Sequence, residues 1–395
     1  MIRWSECLLP LRIAWRELCA IGSSYSVLLV LVGGVFFYGL LYNYMYAPNV
    51  VHEVPVAVVD HSQTALSRQY IRWLDATPQV QVAYREPDMV AAKRLMRDAR
   101  VWGILYLPSH FETLIYEGRR AVYPLYASTD AFLNYEAIEE ANLLVMEAID
   151  DAYRTQLISD LSLPALAAVA TQSPVTVVGT ALYNPDEGYG FYLIPSVLMI
   201  IIFQTLMMLV AMTSNRKSES SLGFAISARF SLEKIGKTAL SLVWGKCFAY
   251  LFLYGVFALF LVGALPLVFD IPRVTSWWSL LLLLVPYVLS TSCLGLALSR
   301  WYTDPEAPIL LIAFFSIGLI FLSGVSYPLE LMPWYWQTAH YVVPAGAAVL
   351  AFVKLSAMDA SFGDIVPEFI TLCVQVVVYS LLAVSTYKAK LREGR

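Results

Sequence analysis

The sequence has few charged residues and no cysteine pattern typical of a metal site. Asp, Glu, Lys and Arg make up only 14% of the 395 residues, whereas hydrophobic residues make up 59%. A soluble domain carries roughly 25% charged residues, so this composition argues against an ordinary soluble protein and for a membrane environment. The cysteines are Cys7, Cys19, Cys247, Cys293 and Cys373. Their spacing fits neither a zinc site nor a disulfide framework.

Six long apolar runs indicate membrane-spanning helices. A helix needs roughly 20 apolar residues to cross a hydrocarbon layer about 30 Å thick. The predicted spans are 25–46, 189–213, 242–269, 277–299, 307–325 and 369–387. A cleaved signal peptide is the alternative for the first run. That run is long, ends in tyrosines and lacks a small-residue cleavage site, so we predict an uncleaved anchor.

Basic residues predict the orientation of these spans. The flanks 1–24, 214–246, 300–306 and 388–395 together hold 14 basic and 7 acidic residues. Because short basic loops stay in the cytoplasm, both termini are expected there, including the tail 388–395. Segment 47–188 then lies outside the cytoplasm. The basic residues fit this topological role, and we expect no binding of nucleic acid.

The predicted membrane interior lacks the charged groups that ion-driven transporters use. Apart from Lys246 and Glu368, which lie at the mouths of their spans, the apolar runs contain no Asp, Glu, Lys, Arg or His. Proton-coupled carriers and intramembrane enzymes place such groups within the bilayer. The chain also lacks a phosphate-binding loop, since Gly236-Lys237-Thr238 has Ser231 where the first glycine is required. Energy for transport would therefore come from a partner.

The first 24 residues contain a pattern typical of an interfacial helix. Apolar residues recur at helical spacing, and two arginines lie on another face. The predicted helix residues are Trp4, Leu8, Leu11, Arg12, Trp15 and Arg16.

Segment 47–188 alternates between strand-like and helix-like patterns. Strands are predicted at 54–60, 80–84, 101–107 and 122–128, and a long helix at 131–161. This alternation predicts a small, mainly parallel α/β domain inserted between the first two spans. The predicted fold class is thus a polytopic α-helical membrane protein with six spanning helices and an inserted extracytoplasmic α/β domain.

Several short motifs occur along the chain. They are the domain opening 54–60 with Leu66-Ser67, Tyr183-Asn184-Pro185 before the second span, and Ser323-Gly324-Val325-Ser326-Tyr327-Pro328 with Met332-Pro333. Their order and spacing resemble those of the permease subunits of type-2 ATP-binding-cassette (ABC) exporters. The resemblance covers nearly the whole chain and fits the subgroup with a large extracytoplasmic domain. It implies an outer loop formed by Ser323, Gly324, Tyr327, Pro328 and Pro333.

The resemblance also implies a cytoplasmic coupling loop, 214–240, within a five-helix transmembrane domain, 189–387. The family carries Glu-x-Glu-Gly-Thr there, and this chain has Lys217-Ser218-Glu219-Ser220-Ser221. The implied ATPase-coupling residues are Glu219, Ser220, Ser221, Leu222, Phe224, Ile226, Arg229 and Phe230. Their apolar side chains fit a partner's groove or, alternatively, a helix lying on lipid. The family's Gly-Lys at the third span matches Gly245-Lys246, with Gly236-Lys237 as the alternative.

As a member of this family, the chain would be a non-enzymatic subunit in a bacterial inner membrane. Separate ATPase subunits would bind ATP and Mg, and a second permease subunit would complete the pathway. A periplasmic membrane-fusion adaptor would extend export across a second membrane. An apolar pathway fits lipids, amphiphilic drugs or a polymer such as a polysaccharide, and the resemblance favours small hydrophobic compounds. Two other functions stay open, a membrane-anchored sensor or assembly factor and an ion-coupled secondary transporter.

Overall fold

The structure is a computed structural model in which the chain forms two compact units. One unit contains Met1–Asn49 and Leu182–Arg395, and the other contains Val50–Ala181. The residues that the structure describes are 9–45, 51–116, 123–128, 132–160, 190–214, 235–269, 274, 276–302 and 306–393.

The first unit is entirely helical in its described residues. Its helices are α1 (Leu9–Ser23) and α2 (Tyr25–Met45), and, after the second unit, α7 (Gly190–Thr213), α8 (Ile235–Val268), α9 (Trp277–Leu298), α10 (Glu306–Leu322), α11 (Trp334–Val342), α12 (Pro344–Ala357) and α13 (Val366–Glu393). Short 3₁₀ turns at Leu329–Leu331 and Phe362–Ile365 precede α11 and α13.

Five of the described helices are long and apolar enough to cross a membrane, namely α2, α7, α8, α9 and α13. Helices α11 and α12 would add a sixth crossing if they form one broken span, because they pass the same test together and are bent by 88°. The predicted fifth span is α10, whose 17 residues cover about 25 Å. The protein is therefore a polytopic helical membrane protein.

Helix α7 lies at the centre of the first unit. It is apolar on every face, and nearly all of its side chains from Leu193 to Ala211 are buried. A helix that is hydrophobic all round is surrounded either by other helices or by lipid. Helices α2, α8, α9, α10 and α12 supply that surrounding layer.

Two of the spanning helices contain π-helical stretches. In α2 the stretch is Leu29–Phe37, and in α8 it is Phe260–Ala264. Phe36 joins the two helices, because its ring lies 4.7 Å from the ring of Phe260 and 5.9 Å from that of Phe257. Hydropathy gives no signal for such a change in hydrogen-bond period, and the sequence did not predict it.

The second unit is built on a four-stranded sheet. Its elements are β1 (Val54–Asp60), α3 (Ala65–Asp75), β2 (Val80–Arg85), α4 (Met89–Arg97), β3 (Gly103–Leu107), α5 (Phe111–Tyr116), β4 (Leu125–Ala127) and α6 (Phe132–Asp160). The strand order is β2-β1-β3-β4, with β1 parallel to both neighbours and β4 antiparallel. The central strand β1 is almost continuously hydrophobic, as expected for a parallel strand with both faces covered.

A buried polar contact attaches α6 to α3. Asn142 Oδ1 accepts hydrogen bonds from the hydroxyl groups of Tyr70 and Tyr123, whose oxygens lie 3.1 Å apart. Burial raises the pKa of both tyrosines above the ordinary value of 10, and it raises that of Tyr70 more. Both hydroxyls therefore stay protonated and able to donate.

Candidate functional site

A buried ion pair joins α1 to α8. Lys246 Nζ lies 3.5 Å from Glu17 Oε1, and the two residues are only 3% and 5% exposed. Burying such a pair has a large desolvation cost, which is offset only when further hydrogen bonds satisfy both groups. The surrounding side chains should therefore be polar.

Tyr250 supplies one of those hydrogen bonds. It lies one turn beyond Lys246 on α8, and its hydroxyl donates to Glu17 Oε1 over 2.7 Å. The same hydroxyl lies 2.8 Å from Thr213 Oγ1, at the last residue of α7. The carboxylate of α1 is thus connected through one tyrosine to the end of the central helix.

Two lysines hold Ser214, the residue that follows α7. Lys246 Nζ donates to Ser214 Oγ over 3.2 Å, and Lys390 Nζ of α13 donates to the Ser214 carbonyl over 3.2 Å. The last carbonyls of a helix lack partners within it and carry partial negative charge, so cations stabilise this end. The carboxyl end of α7 is therefore held from α8 and from α13.

Helix α9 is tied to the same place through α13. Lys390 Nζ also donates to Ser299 Oγ over 3.0 Å, and Thr386 Oγ1 donates to the carbonyl of Ala297 over 3.0 Å. The ring of Tyr387 lies between the two lysines, at 5.1 Å from Lys390 Nζ and 5.9 Å from Lys246 Nζ. We call Glu17, Thr213, Ser214, Lys246, Tyr250, Ser299 and Lys390 the polar cluster.

Gly245 explains how α1 comes close enough to form the ion pair. A Cβ atom there would lie 2.7 Å from Ile13 Cβ and 2.8 Å from the Pro10 carbonyl oxygen, which is too close for any other residue. At Gly236, by contrast, a Cβ would meet only the flexible Lys388 side chain at 3.5 Å. The pair Gly245-Lys246 thus has a physical role, since the glycine admits α1 and the lysine binds it.

The predicted interfacial helix has two different faces in the structure. Leu11 and Trp15 are 60% and 68% exposed, and Arg12 and Arg16 are exposed too. The opposite face, with Ile13, Ala14, Glu17 and Ile21, is buried. Trp4 and Leu8 lie outside the described residues. The predicted residues within α1 are thus exposed, and the sequence pattern did not predict the buried face.

The predicted outer loop forms the turn from α10 into α11. Gly324 has a φ of +87°, and a Cβ there would approach Leu329 Cγ to 2.8 Å. Ser323 is buried, Tyr327 is exposed, and Pro328 and Pro333 start the helical segments that follow. The polar cluster shares no residue with this turn.

The predicted coupling residues lie in segment 215–234, outside the described part of the chain. They are Glu219, Ser220, Ser221, Leu222, Phe224, Ile226, Arg229 and Phe230. The polar cluster nevertheless includes Ser214, the last described residue before that segment. Of the described residues, no group of three or more His, Cys, Asp or Glu side chains could hold a metal ion.

Sequence reasoning missed most of the polar cluster. It counted Glu17 only among the acidic residues of the flank 1–24, yet Glu17 lies on a second stripe of buried residues with Ile13, Ala14 and Ile21. That stripe, at spacings of three and four residues, was the available signal for a packed helix face. The pairing of α1 with α8 depends on tertiary contacts and left no local signal.

The comparison with protein families agrees with this architecture. The family described as ABC-2 family transporter protein matches residues 25–385, which include the second unit, α2, α7, α8 and α9, and most of α13. Curated proteins give no match. Members of this family are the membrane permeases of ABC transporters and work with ABC ATPases. The chain belongs to the ABC-2 family of transporter proteins.

Proposed function

We propose that the chain is the membrane subunit of an ATP-driven exporter in a bacterial inner membrane. Two such subunits, identical or paired with a related chain, form the pathway, and separate ATPase chains bind ATP and Mg. Both termini lie in the cytoplasm, and Val50–Ala181 is an extracytoplasmic domain, where a membrane-fusion adaptor binds in cells with two membranes. The family match over 25–385 carries this proposal.

The polar cluster supports a specific route for coupling. Segment 215–234 follows Ser214 directly, and Ser214 is bound by Lys246 and Lys390. A displacement of that segment by an ATPase would pull on both lysines. Through them it would reach α1, by the Glu17 pair, and α13. Interactions in such a dry site are strong, so the movement of one member is transmitted to the others.

The test is purification of the tagged chain in a mild detergent, followed by an assay of ATP hydrolysis. We expect an ABC ATPase to co-purify, and Glu219→Lys to reduce both its yield and its stimulated hydrolysis severalfold. Glu233→Lys is the matched control, since it makes the same change in the same segment beyond the predicted coupling residues. Equal losses in both variants, or none in either, would remove Glu219–Phe230 from the coupling role.

Two other functions predict different results. A sensor or assembly factor would co-purify with a binding partner of Val50–Ala181 and with no ATPase. An ion-coupled carrier would move solute when purified alone. The described charged pairs of the first unit, Glu17 with Lys246 and Lys354 with Glu368, are ion-paired within the protein. Such pairing favours a structural role over ion binding.

The substrate class proposed is small hydrophobic or amphiphilic compounds. The helices that form the first unit are overwhelmingly apolar. Helices α2, α10 and α13 expose large hydrophobic side chains. An apolar pathway lowers the cost of moving apolar solutes and gives no binding energy for ions.

A further inference from the structure

Helix α13 makes polar contacts in its middle and near its carboxyl end, along one buried stripe. That stripe contains Leu372, Gln375, Tyr379, Ala383 and Tyr387 at spacings of three and four residues. The opposite face, including Val374, Val377 and Leu381, is more than half exposed. The helix is therefore held along one side only.

In the middle of α13, this stripe holds the break between α11 and α12. Gln375 Nε2 donates to the Tyr341 carbonyl over 2.7 Å, and the Tyr379 hydroxyl donates to the Val342 carbonyl. These are terminal carbonyls of α11, which the helix itself cannot satisfy. Where water is excluded, such groups are costly to leave unsatisfied. Gln375 and Tyr379 thus stabilise the 88° bend at Val343.

We call the bent pair of α11 and α12 the hairpin. Two further contacts hold it in place. Lys354 of α12 and Glu368 of α13 form an ion pair, with Nζ and Oε1 2.6 Å apart. His340 of α11 is buried, and its Nδ1 lies 2.8 Å from the carbonyl oxygen of Leu322, the last residue of α10. The hairpin is therefore bound to α10 and α13 by polar groups.

Near its carboxyl end, α13 enters the polar cluster. Lys390 binds Ser214 and Ser299, and Thr386 binds Ala297. Gln375 and Lys390 are 15 residues apart, which corresponds to about 22 Å along a helix. One helix therefore makes direct contact with both sites.

Helix α13 is also well suited to transmit a displacement over that length. It contains no glycine, and its single proline, Pro367, lies in the first turn, where proline is tolerated. The other helices long enough to span are interrupted: α7 by Pro195, α9 by Pro286, and α2 and α8 by π-helical stretches. Those features are where helices bend.

We propose that α13 is a rigid strut that links the polar cluster to the α11–α12 hairpin, so that a change at Ser214 releases or restores the bonds at Tyr341 and Val342. The biological role of this strut rests on the proposed function, because ATP-driven movement at the polar cluster would open the hairpin through α13. Gln375 and Tyr379 are positioning residues in this scheme. The physical link itself exists with or without an ATPase.

The test measures hydrogen–deuterium exchange on the full chain in lipid nanodiscs, without any partner. Lys390→Met removes the contacts at the cluster, and we expect exchange in residues 334–347 to become about tenfold faster. Arg392→Met is the matched control, because it changes an exposed cation on the same turn, and it should leave 334–347 unaltered. Exchange in the buried middle of α7, in the same unit, reports whether that unit is intact.

A second pair of variants tests the helix itself. Leu381→Gly with Leu382→Gly softens α13 at two exposed positions and leaves the buried stripe unchanged, and the corresponding double alanine variant keeps the helix stiff. In the glycine background, adding Lys390→Met should change exchange in 334–347 little. In the alanine background, adding Lys390→Met should still make exchange there about tenfold faster. The proposal would be overturned if Lys390→Met left exchange in 334–347 unchanged. It would also be overturned if Lys390→Met accelerated this exchange as much in the glycine background as in the original chain. Neither result depends on whether an ATPase binds, so failure here is distinct from failure of the proposed function.

Discussion

The carboxylate of Glu17 and the ammonium group of Lys246 lie 3.5 Å apart in the interior of the first unit, although 229 positions separate them in the chain. This pair fixes the first helix against the helix that follows segment 215–234. Tyr250 and Ser214 complete its hydrogen bonds. A buried ion pair, rather than an apolar contact alone, therefore holds α1 against α8.

Removing one partner of the ion pair should destabilise the protein strongly. Glu17→Gln leaves the Lys246 cation buried without its carboxylate, and the expected cost is about 3–5 kcal/mol. Glu17→Gln combined with Lys246→Met should cost less than the sum of the two single changes, since the unpaired charge disappears. Thermal unfolding in detergent measures both. Arg16→Gln, the exposed neighbour on α1, is the control and should shift the transition little; additive costs would show that the pair does not interact.

Gly245 should tolerate no side chain. Gly245→Val places methyl groups against Ile13 and the Pro10 carbonyl, so α1 must move away from α8 and the Glu17 pair must lengthen. We expect faster proteolysis within α1 and a loss of stability. Gly255→Val on the same helix is the matched control, because nothing lies within 4 Å of a Cβ there. Similar behaviour of the two variants would contradict the close packing of α1 on α8.

The contact of Tyr70 and Tyr123 with Asn142 predicts a pH dependence for the second unit. Because burial raises the pKa of both hydroxyls in the folded protein, the stabilisation is fully present below the unfolded pKa of about 10. It is lost as pH rises above that value, when the unfolded chain gives up protons that the folded unit retains. Amide exchange of α3 between pH 8 and 11, corrected for intrinsic rates, should show this loss. Tyr70→Phe should weaken the dependence on pH, and Arg72→Gln on the exposed side should not.

The spanning helices could be predicted from sequence because hydropathy is a local property. The runs at 277–299 and 369–387 correspond to α9 and the middle of α13, and the predicted first strand has the bounds of β1. The hairpin of α11 and α12 was not predicted. Its signal was a 14-residue apolar segment that begins at Pro344, too short to span and typical of a buried or re-entrant helix.

The polar cluster was beyond sequence reasoning for a different reason. Its members come from α1, α7, α8, α9 and α13, and no local pattern states which helices are neighbours. Lys246 was placed at the mouth of its span by hydropathy, yet its partner depends on Gly245 admitting α1. Lys390 was counted as a basic residue of the tail. That role predicts a side chain exposed to solvent, whereas Lys390 donates hydrogen bonds to Ser214 and Ser299.

The dependence on a separate ATPase is the central claim, and reconstitution tests it most directly. The purified chain would be placed in vesicles with a fluorescent amphiphilic dye, with or without an ABC ATPase and Mg-ATP, and under an imposed proton or sodium gradient. We predict dye movement only when both the ATPase and Mg-ATP are present, and no response to either gradient. Movement driven by a cation gradient in vesicles that contain this chain alone would contradict the account.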